Sequence, residues 1–312
     1  MRETIDISIV AATHNRSDLL QELLKSFEKQ TYAPSRFEVI IACDGCTDNT
    51  FEILEGFKSK IKNLTWLKLP KGNPAKARNA GVKHAKGKII AFTDDDCIAS
   101  GDWLEVIYQN LNKGNLVGLQ GKTTTDPSKV HPLTHQIENL HGHPAVPTCN
   151  AAFLRESLLK IGIFDEGFPF AHNEDADLAW RMRKEGEITF VPEMIIHHPP
   201  RLTTLKKSLS RMKILESEFM LFHKDPTLYK LWRNDSPWKT IYKEVFIKHQ
   251  MLLFKSRFKY INRPVLLLKG LLISLSWWVD LILKYPRFAK ANKHYKEIYQ
   301  QQTKNNTSKL AA

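Results

Sequence analysis

The chain has 312 residues, of which 42% are hydrophobic and 25% are charged, so it has the size and composition of one large globular domain or two small ones. Its net charge of +13 is unevenly distributed: residues 1–200 hold 23 basic against 26 acidic side chains, and residues 201–312 hold 23 against 7. The last third is therefore predicted to meet an anionic partner. No nucleic-acid-binding motif accompanies this charge, so we expect no nucleic acid and favour a membrane.

The first residues and the four cysteines predict a cytoplasmic protein. A strand-like run begins by Ile5, which leaves no room for a secretory signal. Cys43 and Cys46 have the spacing of half a zinc or redox site, but no second pair of cysteines and no suitably spaced histidine pair complete it. We therefore expect reduced thiols.

In the first 120 residues, apolar patterns typical of strands alternate with apolar patterns typical of helices. Apolar patterns predict strands at 5–12, 37–43, 64–69 and 88–93, and helices at 19–27, 74–84 and 102–112. Such alternation predicts an α/β fold with a mostly parallel central sheet and flanking helices.

Residues 115–200 are more mixed, and the pattern changes again at residue 201. Short apolar runs lie at 116–119, 148–154, 188–191 and 194–196, and one helix is predicted at 174–184. From residue 201 onward the chain reads as long helical stretches without strands. We place a domain boundary at residue 200, followed by a basic, mainly helical region over 201–312.

Three predicted strands end in polar residues, at 13–16, 43–48 and 94–96. Ligands of open parallel sheets bind beyond the carboxyl ends of the strands, so these residues predict one site. Neither a dinucleotide-binding glycine motif nor a P-loop is present. The three adjacent carboxylates of Asp94, Asp95 and Asp96 favour a hard cation, Mg²⁺ or Mn²⁺, although a solvated acidic loop that caps the next helix is the alternative.

Five segments, in this order, resemble the family 2 inverting glycosyltransferases: residues 8–16, 40–48, 77–81, 92–96 and 174–175. The resemblance covers roughly residues 5–200. It implies the GT-A fold, a nucleotide-sugar donor that is most often UDP-linked, and a divalent metal. The catalytic domain is then residues 1–200, with nucleotide-sugar binding at about 1–120 and the acceptor side at about 121–200.

The resemblance also implies roles for individual residues. Asp94 and Asp96 align with the metal-binding D-x-D pair. Cys43 and Cys46 replace an Asp and a Ser of the usual motif, whereas Asp44, which should contact the base, is kept. The residues expected on the donor are Thr13, Asn15, Arg16, Asp44, Arg78, Asp94 and Asp95.

The acceptor side should supply the catalytic base. The family's Glu-Asp motif aligns with Glu174 and Asp175, and we predict that Asp175 removes the acceptor proton. Acidic residues at a helix start are also good caps, which is the alternative. Glu174 and Asn150 are predicted on the acceptor side. Of the adjacent pair His197 and His198, at most one can face the metal, and His197 is the predicted ligand.

Residues 264–284 are apolar over the length of a membrane span, yet they carry a polar stripe of Lys269, Ser276, Asp280 and Lys284. The stripe leaves a wide apolar face with two tryptophans, which favours a helix that lies in the surface of an anionic membrane. A helix packed on the catalytic domain or in a homodimer, and a true span, are the alternatives.

The predicted function is transfer of a sugar from a nucleoside diphosphate to an acceptor hydroxyl, in glycan or lipid-linked saccharide synthesis at the inner face of the plasma membrane. A sugar nucleotidyltransferase should have a glycine-rich loop after the first strand, and residues 11–16 contain no glycine. A non-catalytic nucleotide-sugar-binding scaffold would need neither Asp96 nor Asp175.

Overall fold

The computed structural model describes residues 4–112 and 116–310, which form two compact units. The first unit comprises the chain up to Pro127 with Gln136–Gly167 and Glu174–Pro200. The second comprises Ser128–His135, Phe168–Asn173 and the chain from Arg201 onward. Two short segments that precede residue 200 therefore belong to the second unit.

The chain contains ten strands and thirteen α-helices in the described residues, interspersed with short 3₁₀ turns and one π-helix. In chain order they are β1 Ile7–Thr13, α1 Ser17–Glu28, β2 Phe37–Asp44, α2 Thr50–Phe57, β3 Leu64–Leu69, α3 Pro74–His84, β4 Ile89–Asp94, β5 Ile98–Ala99, α4 Trp103–Leu111, β6 Leu116–Thr124, β7 Thr134–His135, β8 Asn150–Leu154, α5 Arg155–Lys160, α6 Glu174–Met182, β9 Glu187–His197, β10 Arg201–Leu202, α7 Leu205–Leu209, α8 Ser217–Lys224, α9 Pro226–Trp232, α10 Pro237–Lys239, the π-helix Thr240–His249, α11 Gln250–Arg257, α12 Pro264–Leu283 and α13 Tyr285–Leu310.

The first unit is built on one eight-stranded sheet in the order β3-β2-β1-β4-β8-β6-β9-β5. The pairs β3–β2, β2–β1, β1–β4 and β6–β9 are parallel, whereas β8 is antiparallel to both its neighbours and β5 is antiparallel to β9. The predicted α/β fold with flanking helices and a helical carboxyl-terminal region is confirmed. The antiparallel β8 makes the sheet mixed.

The central strands are apolar on both faces because helices cover both faces of the sheet. Every residue of β2 is buried. Helix α3 packs closely on β1 at Gly81, where an added Cβ would lie 2.5 Å from Val10 Cγ1. The absence of a side chain at Gly81 therefore lets α3 approach the strand that ends in the site.

In the second unit, α12 is a 20-residue helix that is long and apolar enough to cross a membrane, with a mean hydropathy of 1.8. Only 22% of its most apolar stretch is buried. Both of its tryptophans point inward, because Trp277 Nε1 donates to the Ser208 carbonyl and Trp278 Nε1 donates to the Phe246 carbonyl. This corrects the expectation that the tryptophans belong to the outer apolar face. The exposed face is aliphatic and includes the stripe Val265, Leu268, Leu272, Leu275, Val279 and Ile282, with Leu283 exposed at the end of the helix.

Candidate active site

The carboxyl ends of β1, β2 and β4 meet at one edge of the sheet. In register, Ala12 pairs with Asp94 and Thr13 pairs with Cys43. The polar residues that follow the three strands are therefore neighbours in the structure, as the parallel arrangement requires.

The loop after β4, residues 94–96, is called here the acidic loop, and an arginine from the loop after β1 binds it. Arg16 Nη1 lies 2.8 Å from Asp95 Oδ1 and 3.9 Å from Asp96 Oδ2. Asp95 is buried, and burial raises the pKa of its carboxyl while the charge of Arg16 opposes that rise. Asp95 and Arg16 thus tie two strand ends together.

A second arginine joins the acidic loop to helix α6. The buried Arg78 places Nη2 2.8 Å from Asp94 Oδ1 and Nη1 3.4 Å from Glu174 Oε1. These two carboxylates are far apart in sequence and come from different elements. Arg78 therefore brings the predicted metal-binding loop and the predicted catalytic motif into one cluster.

Asp175 is held by a single residue that sequence analysis did not identify. Both carboxylate oxygens of Asp175 accept hydrogen bonds from Thr148, one from its backbone N–H at 3.0 Å and one from its hydroxyl at 2.9 Å. Burial raises the pKa of Asp175, whereas Arg78 and the bonds from Thr148 favour its charged form. Thr148 lies at the start of a predicted apolar run, and nothing in its local pattern indicates this contact.

Glu174 differs from its neighbour in its environment. Burial, followed by the charge of Asp175, raises the pKa of Glu174 to about 8. The described residues offer no hydrogen-bond partner to its Oε2 atom. Burial and the charge of Asp175 therefore favour the protonated form of Glu174.

Of the two adjacent histidines, His198 lies beside the acidic loop, whereas the predicted ligand His197 contacts Thr124. His198 Nε2 lies 3.4 Å from Asp96 Oδ1, whereas His197 Nδ1 lies 3.3 Å from the hydroxyl of Thr124. Adjacent residues in extended backbone point to opposite sides, so only one of the two can face the acidic loop. The end of β9 presents His198 to that loop.

Of the three side chains grouped around Asp96, two suit a hard divalent cation. Ligand atoms of Asp96, Cys97 and His198 lie within 4.8 Å of one another. A carboxylate and an imidazole suit Mn²⁺ or Mg²⁺, whereas a thiol suits softer ions. Asp96 and His198 are therefore the fitting ligands.

The predicted nucleoside end of the site is shaped by hydrogen bonds between loops. Asp44 Oδ1 accepts from the Gly72 N–H at 2.6 Å, and the described residues supply no partner to its other oxygen. Asn15 lies in the left-handed region, with φ of 52°, and its Oδ1 accepts from the Thr47 N–H at 2.8 Å. Asn15 thereby connects the loops after β1 and β2, and Thr13 is buried beneath them.

The side chain of Asn150, which is predicted on the acceptor side, is hydrogen-bonded within the protein. Its Oδ1 accepts from Trp103 Nε1 at 2.9 Å, and its Nδ2 donates to the carbonyls of Met194 and Lys122 at 2.9 and 3.1 Å. The side chain is buried and holds β8 against its surroundings. Its place on the acceptor side stays a prediction.

The mixed sheet, the acidic loop and the acid pair at the start of α6 are the features expected of the glycosyltransferase family that the sequence resembles. Residues 8–184 match the model of glycosyl transferase family 2, which is more than half of the chain. The chain belongs to this family and is a glycosyltransferase. The family match gives no support to the nucleotidyltransferase alternative.

Named relatives of the chain are glycosyltransferases. The chain is 29% identical over 215 residues to the UDP-Glc:alpha-D-GlcNAc-diphosphoundecaprenol beta-1,3-glucosyltransferase WfgD of Escherichia coli, covering 68% of this chain and 83% of WfgD. It is 34% identical over 90 residues to the poly(ribitol-phosphate) beta-N-acetylglucosaminyltransferase TarS of Staphylococcus aureus. That match covers 28% of this chain and only 16% of TarS.

Two solved structures show the same fold at low identity. The mannosyltransferase PcManGT of Pyrobaculum calidifontis, in complex with GDP-Man and Mn²⁺, superposes with a TM-score of 0.61 at 17% identity, over 90% of this chain and 87% of that one. S. aureus TarS 1–349 in complex with UDP-GlcNAc gives a TM-score of 0.56 at 16% identity, over 96% and 92%. The first unit therefore has the GT-A fold.

Proposed function

We propose that this chain transfers a sugar from a UDP-linked donor to an acceptor hydroxyl with inversion, in a direct displacement assisted by a divalent cation. The observation that carries the proposal is the position of Arg78, which contacts Asp94 of the acidic loop and Glu174 of α6. This contact supports the proposal, because a single displacement step requires donor-side and acceptor-side groups to lie close together.

On the donor side, Thr13 and Asp44 are the proposed nucleoside contacts. The uncommitted oxygen of Asp44 is available to a hydrogen-bond donor of the base. Asn15, Arg16 and Asp95 act by shaping the loops, because their side chains are engaged with protein partners.

The cation would be held by Asp96 and His198, with Asp94 at the same loop. Bound there, Mg²⁺ or Mn²⁺ would neutralise the charge that develops on the leaving diphosphate. Arg78 holds the acidic loop in place for this role, and its own charge adds to the positive field at the diphosphate.

On the acceptor side, Asp175 is the proposed base. Thr148 fixes both of its oxygens, so the carboxylate is oriented before the acceptor arrives. The neighbouring Glu174, protonated at neutral pH, adds no second negative charge beside the base.

The proposed acceptor is a glycan or a lipid-linked saccharide at the inner face of the plasma membrane. WfgD acts on a diphosphoundecaprenol-linked acceptor, as its name states. The exposed aliphatic face of α12, in a basic region, supports attachment to an anionic membrane surface.

The test is an Asp175→Asn variant assayed with UDP-Glc and UDP-GlcNAc in the presence of Mn²⁺. UDP release with acceptor lipid should fall by about 10²–10⁴-fold, because the acceptor proton loses its base. The thermal shift produced by UDP and Mn²⁺ should stay as in the wild type, since binding stabilises the fold by mass action. Wild-type turnover in the variant would remove Asp175 from the mechanism.

A further inference from the structure

Among the described residues of the second unit, Arg211 and Arg257 contact no acidic side chain. Residues 201–312 contain seven acidic side chains. All seven are engaged elsewhere: Glu216 with Arg287, Glu218 with Tyr229 and Asn173, Asp225 with the N–H of Leu228, Asp235 with Lys239, Glu244 with Lys248, Asp280 with Lys284, and Glu297 with Lys293.

Arg211 and Arg257 have only neutral partners among the described residues. Arg211 Nη1 donates to His135 Nδ1 at 3.0 Å, and Arg257 Nε donates to the Ser274 hydroxyl at 3.4 Å. Arg211 is exposed, whereas Arg257 is 8% exposed. A buried guanidinium without an anion is costly, because the fold withdraws the charge from water and supplies nothing opposite.

These arginines act on one another and on a histidine. Desolvation and the charge of Arg201 lower the pKa of Arg211. Desolvation, together with the charges of Arg211 and Arg257, lowers the pKa of His249. Geometry places the same side chains together: strands β7 and β10 pair His135 with Arg201, and Arg211 contacts His135. Arg257 Cδ and Pro132 Cγ each lie 2.9 Å from the position of a Cβ added at Gly270, which places Arg257 beside the segment that carries His135. We call Arg201, Arg211, Arg257, His135 and His249 the arginine cluster.

Helix α11 carries a further buried polar group beside the arginine cluster. Gln250 is fully buried, and neither its amide nitrogen nor its amide oxygen has a partner among the described residues. Gln250 and Arg257 are seven positions apart, which places both on one face of the helix. This face holds hydrogen-bonding capacity that the protein does not use.

The chemistry of the arginine cluster selects a phosphate. Guanidinium groups bind phosphate oxygens in pairs, and several of them together stabilise more than one negative charge. The neighbouring elements expose aliphatic side chains, Met251 and Leu252 on α11 and Leu268 on α12. A phosphate with an apolar body satisfies both features, whereas a free ion satisfies only the first.

We propose that the arginine cluster binds the phosphate or diphosphate group of a membrane lipid. The inference rests on the membrane attachment in the proposed function and is independent of the transfer chemistry. The lipid is either an anionic phospholipid or a polyprenyl diphosphate, and both present the same headgroup chemistry.

The experiment measures binding of the full chain to phosphatidylcholine vesicles that contain phosphatidic acid, polyprenyl diphosphate or, at equal surface charge, oleate. Arg211→Gln should weaken binding to the phosphate-bearing vesicles by ~10-fold or more and binding to oleate vesicles by no more than ~5-fold. The control Arg287→Gln removes the same charge outside the cluster and should weaken both kinds equally. The stronger of the two phosphate arms identifies the lipid.

An equal loss on phosphate and oleate vesicles for Arg211→Gln would overturn the proposal, because the cluster would then act only as surface charge. Arg257→Lys keeps the charge of the buried position and should weaken the phosphate arms alone. With inorganic pyrophosphate and excess chelator, the pKa of His249 followed by NMR should rise, since an anion would offset Arg211 and Arg257. An unmoved pKa would also count against the site.

The transfer chemistry and the lipid-binding site can be tested independently of each other. Asp175→Asn should still bind the phosphate-bearing vesicles, and Arg211→Gln should still hydrolyse soluble UDP-sugar at the wild-type rate.

Discussion

The two units differ in the sign of the charged side chains that they cluster. In the first unit, carboxylates from distant parts of the chain are gathered, and Arg16 and Arg78 bind them from within. In the second unit, most carboxylates are paired with lysines and arginines nearby, whereas Arg211 and Arg257 contact only neutral partners among the described residues. One unit thus concentrates negative charge and the other concentrates positive charge.

This difference indicates what each unit lacks. A cleft of acids needs a cation before it can accept a diphosphate, and a cluster of arginines needs an anion. Both sites carry a cost in folding stability that a ligand would offset. The predictions below test whether each charged site is a binding site, beginning with the largest expected effect.

The sharpest test of the acidic cleft compares the two adjacent histidines. His198→Ala should lower Mn²⁺ affinity and turnover by about 10²-fold, because it removes the imidazole beside Asp96. His197→Ala should change either quantity only slightly, since its ring contacts Thr124. Metal affinity is measured by titration with Mn²⁺ in the presence of UDP.

An equal loss in the two histidine variants would contradict the assignment. Full activity of the wild type in excess chelator would contradict a metal role for the whole acidic loop.

Close packing of α3 on β1 supports the strand that ends in the candidate site. Alanine substitutions at two glycines test how much this packing contributes to stability. Gly81→Ala would bring a methyl group to 2.5 Å from Val10 Cγ1 and should reduce the free energy of unfolding by about 1–3 kcal/mol. Gly56→Ala is the matched control on helix α2, where an added Cβ meets nothing within 4 Å. It should stabilise the fold by about 0.5–1 kcal/mol, because alanine favours helix.

Urea denaturation measures both glycine variants. If Gly81→Ala were as stable as Gly56→Ala, the close approach of α3 to β1 would have no energetic role.

Local periodicity was sufficient to predict most of the first unit. The strand at 64–69 and the helix at 74–84 coincide with β3 and α3, because apolar spacing and a proline at the first helical turn are local signals. Helix α2 was not predicted. The antiparallel placement of β8 was not predicted either, since strand order depends on contacts between distant segments.

Strand β9 shows where local signals are insufficient. Two apolar runs were predicted at 188–191 and 194–196, but β9 continues from Glu187 to His197. The register against β6 shifts between Gly121 and Lys122, and this irregularity accommodates Pro192, which has no N–H to donate. Which histidine faces the acidic loop depends on the same register, so the sequence alone could not assign His198.

The contacts of Asn150 and of the two tryptophans of α12 also could not be predicted from local sequence. A polar side chain beside a site and a side chain that holds the site have the same sequence pattern, and only the contacts of Asn150 with Trp103 and Met194 distinguish them. An apolar helix likewise does not reveal which of its faces is covered, and Trp277 and Trp278 lie on the covered side of α12.

A pH-dependent effect should distinguish the buried acid of the first unit. The pKa of Glu174 in the folded state, about 8, is raised above its ordinary value of 4.5. Its protonated form is favoured by the fold, so this contribution to stability is complete below pH about 4.5 and is lost as the pH rises through 8. The glutamine of Glu174→Gln cannot ionise. The free energy of unfolding of this variant should therefore rise relative to that of the wild type as the pH increases from 4.5 to 8, by about 1 kcal/mol or more at pH 8.

Thermal unfolding of wild type and Glu174→Gln across this pH range measures the difference. A constant difference would mean that Glu174 does not titrate there, and the assignment of the proton to Glu174 would be wrong.

The smallest effect on stability is expected on the outer face of the second unit. The exposed aliphatic residues of α12 recur at alternating spacings of three and four, which places them on one stripe of the helix. Leu272→Gln on this stripe should change the free energy of unfolding by no more than about 0.5 kcal/mol, because Leu272 is already 50% exposed. The same substitution at the fully buried Leu281 should cost about 3 kcal/mol or more. Leu272→Gln should nevertheless weaken binding to anionic vesicles, since the stripe would lose apolar contact with the lipid. A stable variant with unchanged vesicle binding would separate the aliphatic stripe from the membrane and leave the arginine cluster as the only proposed lipid contact.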